Sequence, residues 1–437
     1  MKTYPSAPSI ALLGLLVVAC SGDDAAEGEP KRAVAAAPSA TAGAATAGAA
    51  TVGVAPVLTP SQRELLQLAF DAASKFPLEP HRKNRSRAQE VVVVAAFELG
   101  ASELAVAYGA KIADWRRGCA YADFAWELAR RGDAARAREY IGLAEGVVRG
   151  EREDPMAQEW RADLVQLKVA RALAALGDHD AAAKAGGGID PVSTHAVDAN
   201  WAVTAAERVA ALTPEAAQLE FAAIDQGFLK MSLGQQATAT ALLARLHQRF
   251  FADAELRRAC EDRLATAWTT TMPTLRLDAL ATMVATNHEK GDAGRAADLL
   301  TVMRDLVAGH QWRAEDRMPQ IARLIELARL LGQSDRARAE AEAALASYHA
   351  ARDEIVDIYR AETLRPLALA WHALGDRERG DAILALSVEE GVENPNSRPR
   401  CDDLVDACVA LARRGIVPSA VQMARLQEIK QGLGEPW

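Results

Sequence analysis

Residues 121–133 read Tyr121-Ala122-Asp123-Phe124-Ala125-Trp126-Glu127-Leu128-Ala129-Arg130-Arg131-Gly132-Asp133. Eight, seven and four residues before Gly132 stand a large, a small and a large side chain, Phe124, Ala125 and Leu128. Spacings of three and four place them on one face of a helix. Gly132 is suited to end that helix in a left-handed conformation. The stretch Leu364-Arg365-Pro366-Leu367-Ala368-Leu369-Ala370-Trp371-His372-Ala373-Leu374-Gly375-Asp376 repeats the arrangement with Leu367, Ala368 and Trp371.

The same punctuation recurs along the chain, with candidate turn glycines at positions 100, 132, 177, 234, 291, 332, 375 and 415. Five residues after them stand Ala105, Ala137, Ala182, Ala239, Ala296, Ala337, Gly380 and Ala420. A small side chain at that point lets the second helix of a hairpin approach the first closely. Composition agrees: about a fifth of the 437 residues are Ala and only 5% are aromatic. Ala is the strongest helix former and is depleted in strands, which counts against an all-β protein. The chain also lacks the several long apolar runs of a polytopic membrane protein. A net charge of −9 leaves no global basic field for nucleic acid, and no nucleic-acid partner is expected.

The Gly-Asp-x-x-x-Ala pattern at a helix–turn–helix resembles the tetratricopeptide (TPR) repeat, and the large–small–large triplets match positions where TPR helices interlock. The resemblance covers most of residues 85–430. The turn glycines are spaced by 32, 45, 57, 57, 41, 43 and 40 residues, whereas TPR units repeat at about 34 and HEAT-like pairs in the forties. The family's closing Pro is absent, and its early aromatic survives only as Tyr121. The two longest spacings leave room for an extra helix or loop, before Pro214 and around Thr269–Pro273. The fold expected is all-α: an irregular α-solenoid of about eight TPR-like units, forming an arc.

At the N-terminus, Lys2 is followed by the apolar run Ile10–Ala19, too short to span a bilayer but suited to a signal peptide. Val17-Val18-Ala19-Cys20 resembles a bacterial lipobox, which implies lipidation of Cys20 and a membrane anchor. The residue after Cys20 is Ser21, not Asp, which by resemblance favours the outer over the inner membrane. Residues 20–58 are rich in Ala, Gly, Thr and Pro and cannot bury enough area to offset chain entropy. As a flexible tether they would reach roughly 30–35 Å. The domain plan is therefore 1–19 signal peptide, 20–58 tether and 59–437 solenoid, in the cell envelope.

Cys119, Cys260, Cys401 and Cys408 remain after lipidation, and no Cys/His cluster has metal-ligand spacing. If Cys401 and Cys408 share a helix, they stand too far apart to bridge. No His-Glu-x-x-His, Gly-x-Ser-x-Gly or phosphate-binding glycine motif occurs. No catalytic residue, cofactor or metal is expected, and the chain reads as a non-enzymatic binding protein. The basic stretch His81–Arg87 is read as a solvated loop, and the terminal Trp437 as a frayed end or a cap on the last helix.

In TPR solenoids the first helix of each pair lines the concave face. By that resemblance, residues six and three before the turn glycines point inward, among them Trp126, Arg171, Phe228, Met231, His288, Glu326, Arg329 and His372. Trp126 and Phe228 are the expected anchors, because aromatics dominate binding energy. Ordinary packing is the alternative role for each. The function expected is a membrane-anchored scaffold or adaptor that binds protein partners. The alternatives are glycan binding, as in the SusD-like lipoproteins that also contain such repeats, and an all-helical carbohydrate-active enzyme.

Overall fold

The computed structural model describes residues 58–187, 189, 209, 211–267 and 271–437, and these contain eighteen α-helices and no strand. The signal peptide, Cys20, nearly all of the tether and most of the connection before Pro214 lie outside the described residues. The first helices are α1 (Pro60–Ala73), α2 (Arg82–Glu98), α3 (Ser102–Gly109), α4 (Arg116–Arg130), α5 (Ala134–Glu153), α6 (Glu159–Ala175) and α7 (His179–Gly186). Then come α8 (Pro214–Gly227), α9 (Leu233–Arg249), α10 (Ala254–Asp262), α11 (Pro273–Glu289) and α12 (Ala293–Gly309). The last are α13 (Ala314–Leu330), α14 (Ser334–Ala351), α15 (Asp357–Ala373), α16 (Arg377–Val392), α17 (Ser397–Arg414) and α18 (Ala420–Gln431).

Seven of the eight candidate glycines, at 100, 132, 177, 291, 332, 375 and 415, have φ between 63° and 85°. Each ends a helix with a Schellman bond across six residues, as from Asp133 N–H to the Leu128 carbonyl at 2.9 Å. In four units the next residue starts the following helix. Asp133, Asp178, Asp292 and Asp376 accept hydrogen bonds from the backbone N–H groups of Arg136, Ala181, Arg295 and Arg379. Gly-Asp thus closes one helix and opens the next within two residues, which keeps those hairpins tight.

Gly234 is the exception, and the expectation fails there: it lies in the first turn of α9, whose cap is Ser232. The preceding connection is a 3₁₀ turn, Phe228–Lys230. Helix α9 packs against α11 as the first helix of its own unit, with the short α10 as its partner. The extra length expected around Thr269 is filled by α10 and a π-turn at Arg263–Ala267.

The small residues after the turns serve packing where the turn is tight. Ala105, Ala137, Ala296 and Ala337 are fully buried, and Ala239 nearly so. A side chain on Gly380 would put Cβ 2.5 Å from His372 Cδ2, so only Gly fits there. Two positions differ. Ala182 is half-buried on the short α7, and Ala420 is exposed because the chain runs on through Val417 and Pro418 before Ser419 caps α18.

The first helices of successive hairpins form one row: α2 packs on α4, α4 on α6, α9 on α11, α11 on α13, α13 on α15, and α15 on α17. Helix α17 in turn packs on α2, and Arg413 meets Glu98 at 2.6 Å between their C-terminal ends. Helix α1 fills the space beside this junction. It buries Leu65, Leu66 and Phe70, each worth about 1.5–3 kcal/mol. Gln62 donates to the Ala412 carbonyl at 2.9 Å, so α1 runs antiparallel to α17. Lys75 Nζ donates to the carbonyls of Lys430, Gln431 and Leu433 and thereby caps α18.

The expected arc therefore needs correction, since the beginning of the helical body is clamped to its end. Trp437 is neither frayed nor a cap on α18. Its ring lies 4.7 Å from that of the buried Phe76, and Pro436 accepts a bond from Ser397 N–H. The basic stretch after His81 is likewise helix, Arg82–Arg87 forming the first turns of α2, with Arg85 donating to the Phe76 carbonyl.

Two buried features complete the core. Cys119, Cys260, Cys401 and Cys408 are free thiols, and both Cys401 and Cys408 lie within α17. Between α9, α10, α11 and α12, Glu261 contacts His247 Nε2 at 2.8 Å. It also accepts from Asn287 at 2.9 Å and from Arg295 at 2.6 Å. Burial works against the charge of Glu261, but hydrogen bonds from His247, Asn287 and Arg295 hold its carboxyl down at about 2.

Candidate binding surface

The first-helix row bends between α13 and α17. Arg414 on α17 reaches past α15 to Glu326 on α13, pairing at 2.7 Å and 2.9 Å, which requires the row to curve toward that side. Charged pairs stitch several of its seams. Arg116 joins Glu90 of α2 to α4 at 2.7 Å; Lys168 and Arg171 of α6 hold Asp123 of α4 at 2.7 Å and 2.8 Å; Arg323 pairs with Asp278 between α13 and α11 at 2.5 Å. These pairs are partly shielded from water. Burial raises the Glu90 carboxyl despite Arg116, whereas Asp123 overcomes the burial of Lys168 and keeps its ammonium firmly charged.

The expected inward residues separate into three groups on this surface. Trp126 and Arg171 come together, with the Arg171 guanidinium 4.3 Å and that of Arg130 4.7 Å from the indole centroid. Asp123 fixes Arg171, so the indole, partly buried against the core of α4–α6, is braced by one group that is itself held. Glu326 and His372 come together around Arg414, which lines a cleft of about 400 Å³ with His372, Arg377, Leu369, Ile416 and Val417. His372 Nε2 lies 3.2 Å from Asp381 Oδ1 without hydrogen-bond angles, and burial lowers the imidazole's affinity for a proton. Arg329 is exposed and His288 half-buried, each apart from these groups.

Phe228 and Met231 are the correction. Phe228 is fully buried and Met231 packs against the same core. Their placement assumes a turn at Gly234; because that turn is absent, Phe228 falls in the 3₁₀ turn and Met231 in the extended residue after it, both before α9.

Sequence reasoning missed Arg130, Arg414 and Asp381. Arg130 stands two residues before Gly132, and Arg414 one before Gly415, so counting back from the turn glycines at other offsets finds both. Asp381 is one residue after Gly380, and only the fold brings it to His372. Among the described residues no cluster has the makings of a metal site, and no helix is long and apolar enough to cross a membrane. Compared with known proteins, the chain matches no protein-family model and no curated protein.

Proposed function

We propose that this protein is a TPR-like lipoprotein, anchored in the cell envelope through Cys20, that scaffolds or recruits protein partners on its concave face. One observation carries the binding reading: Trp126 is partly exposed on the first-helix row, with the guanidiniums of Arg130 and Arg171 against its ring. A rigid aromatic side chain loses little entropy on contact, which is how a few residues come to supply most of an interface's energy. The His372–Arg377–Arg414 cleft offers a second contact zone on the same row. The anchor rests on the Val17–Cys20 motif and on the short apolar run before it. A tether raises the local concentration of the scaffold for partners near the membrane.

Replacing Trp126 with Ala and comparing pull-downs from envelope extract tests the binding reading. The partners retained should fall severalfold while the helical content stays unchanged. An unaltered partner set with the fold intact would reject the groove. Replacing Cys20 with Ser tests the anchor, and unchanged membrane fractionation of that variant would reject it.

A further inference from the structure

Exposed aliphatic side chains gather on the edge where the chain enters the helical body. Gln62, in the first turn of α1, donates to the carbonyl of Ala412 in the last turn of α17, so α1 starts beside the connection from α17 to α18. That connection holds Val417, 51% exposed, and the first turn of α18 holds Val421, 81% exposed. Both sit on backbone that is tied down. Arg377 of α16 donates to the Val417 carbonyl at 2.8 Å, and Gln422 donates to the Asp381 carbonyl of α16 at 3.3 Å. Leu330, also exposed, ends α13 one turn beyond Glu326, the residue that Arg414 of α17 reaches. Arginines stand among these side chains. Arg63 is exposed on the first turn of α1, and Arg377 and Arg414 keep 65% and 40% of their side chains in water. Apolar residues scattered singly over a surface are ordinary, but several gathered on one edge mark a contact surface.

We propose that this edge rests on the lipid bilayer that holds the anchor, with Val417 and Val421 at the acyl boundary and Arg63, Arg377 and Arg414 among the headgroups. This contact presupposes the lipid anchor proposed at Cys20 and is independent of what binds at Trp126. The place where the tether ends selects the bilayer as occupant. Residues 20–57 would reach roughly 30–35 Å from the membrane to Leu58, and the surface next to Leu58 is the start of α1 with the α17–α18 connection beside it. Aliphatic tips ringed by arginines suit the headgroup–acyl boundary, because the guanidiniums stay at the phosphates while their stems lie along apolar surface. The attraction is local. A net charge of −9 gives no general pull toward anionic lipid, and Glu64 and Glu378 stand on the same edge. The contact therefore depends on the aliphatic tips and on the local concentration that the tether supplies.

The test uses the mature chain from Cys20 onward, coupled through the Cys20 thiol to a maleimide lipid. The other four cysteines are buried, so coupling goes to Cys20. The vesicles consist of phosphatidylethanolamine and phosphatidylglycerol and include a phospholipid with a diazirine on its acyl chain. The anchor is thus supplied chemically, and lipidation in the cell is tested separately by the fractionation of Cys20→Ser. After illumination, peptide mass spectrometry locates the lipid adducts. They should concentrate at residues 415–424 and in the first turn of α1. Val417→Asp combined with Val421→Asp should cut them at least about fivefold with helical content unchanged. Leu219 and Leu229 provide the control: they are 73% and 72% exposed, in and just after α8, which packs on α9 and α10. Adducts spread by exposure alone, with Leu219 and Leu229 labelled as heavily as Val421, overturn the proposal. So do adducts that survive the double variant, or a tethered body that gains none. Should the two aspartates disturb the fold, Val421→Ser gives the second variant, and undiminished adducts at residues 415–424 overturn the contact.

Discussion

Gly142, Gly146 and Gly150 stand at four-residue intervals along one stripe of α5. A Cβ at Gly142 or Gly150 would meet nothing within 4 Å. Gly in a helix interior costs about 1 kcal/mol relative to Ala, so Gly142→Ala and Gly150→Ala should each raise stability by about 0.5–1 kcal/mol in a urea titration. Gly380→Ala should do the opposite, because His372 occupies the space. Glu261 gives the pH-dependent case at this scale. Its carboxyl is held at about 2, below the usual carboxylate range. The stability it contributes is present above about pH 4 and disappears as pH falls through 2. Glu261→Gln should cost about 3 kcal/mol at neutral pH and flatten the acid limb of a denaturation-versus-pH curve. Sequence reading placed Trp126 and Arg171 on the first-helix row because that placement depends on position within one helix. It could not find the Glu261 cluster, whose members His247, Glu261, Asn287 and Arg295 come from four helices.

At the scale of elements, the hairpins were legible wherever a left-handed Gly does the turning, since that conformation demands Gly and leaves a mark in the sequence. The reading slipped at Gly234, where Ser232 supplies the cap and a 3₁₀ turn supplies the reversal. Neither requires Gly, so a count from Gly234 runs one helix out of phase and puts Phe228 in the groove, whereas it belongs to the core. The Asp residues that follow the turn glycines have a separable role in starting the second helix. Asp292→Ala should cost about 1 kcal/mol by removing the bond to Arg295 N–H. Hydrogen exchange should show that loss as faster opening of the first turn of α12, with α11 unchanged.

At the scale of the whole molecule, the clamp between the ends was invisible in the sequence. Periodicity is local, whereas Gln62 and Ala412 are 350 residues apart. What α1 contributes is an apolar stripe that any amphipathic helix has, and nothing in that stripe names α17 as its partner. The clamp predicts that deleting residues 1–80 exposes the core face of α17 and lowers the thermal midpoint markedly. Removing residues 1–57 alone should leave it unchanged, because helix α1 and its contacts are then retained. The clamp also places Leu58, where the proposed tether ends, on the side of the body where the start of α1 meets the C-terminal end of α17.

The proposed role requires the row around Trp126 to receive a protein partner in the envelope. Crosslinking with mass spectrometry in native envelopes, comparing the wild-type chain with Trp126→Ala, tests it most directly. Crosslinks to a partner are expected from inner-row helices such as α4, α6, α15 and α17, with their loss in the variant while intramolecular α1–α17 crosslinks persist. Partner crosslinks that arise only from the outer helices, or that survive Trp126→Ala undiminished, would contradict it.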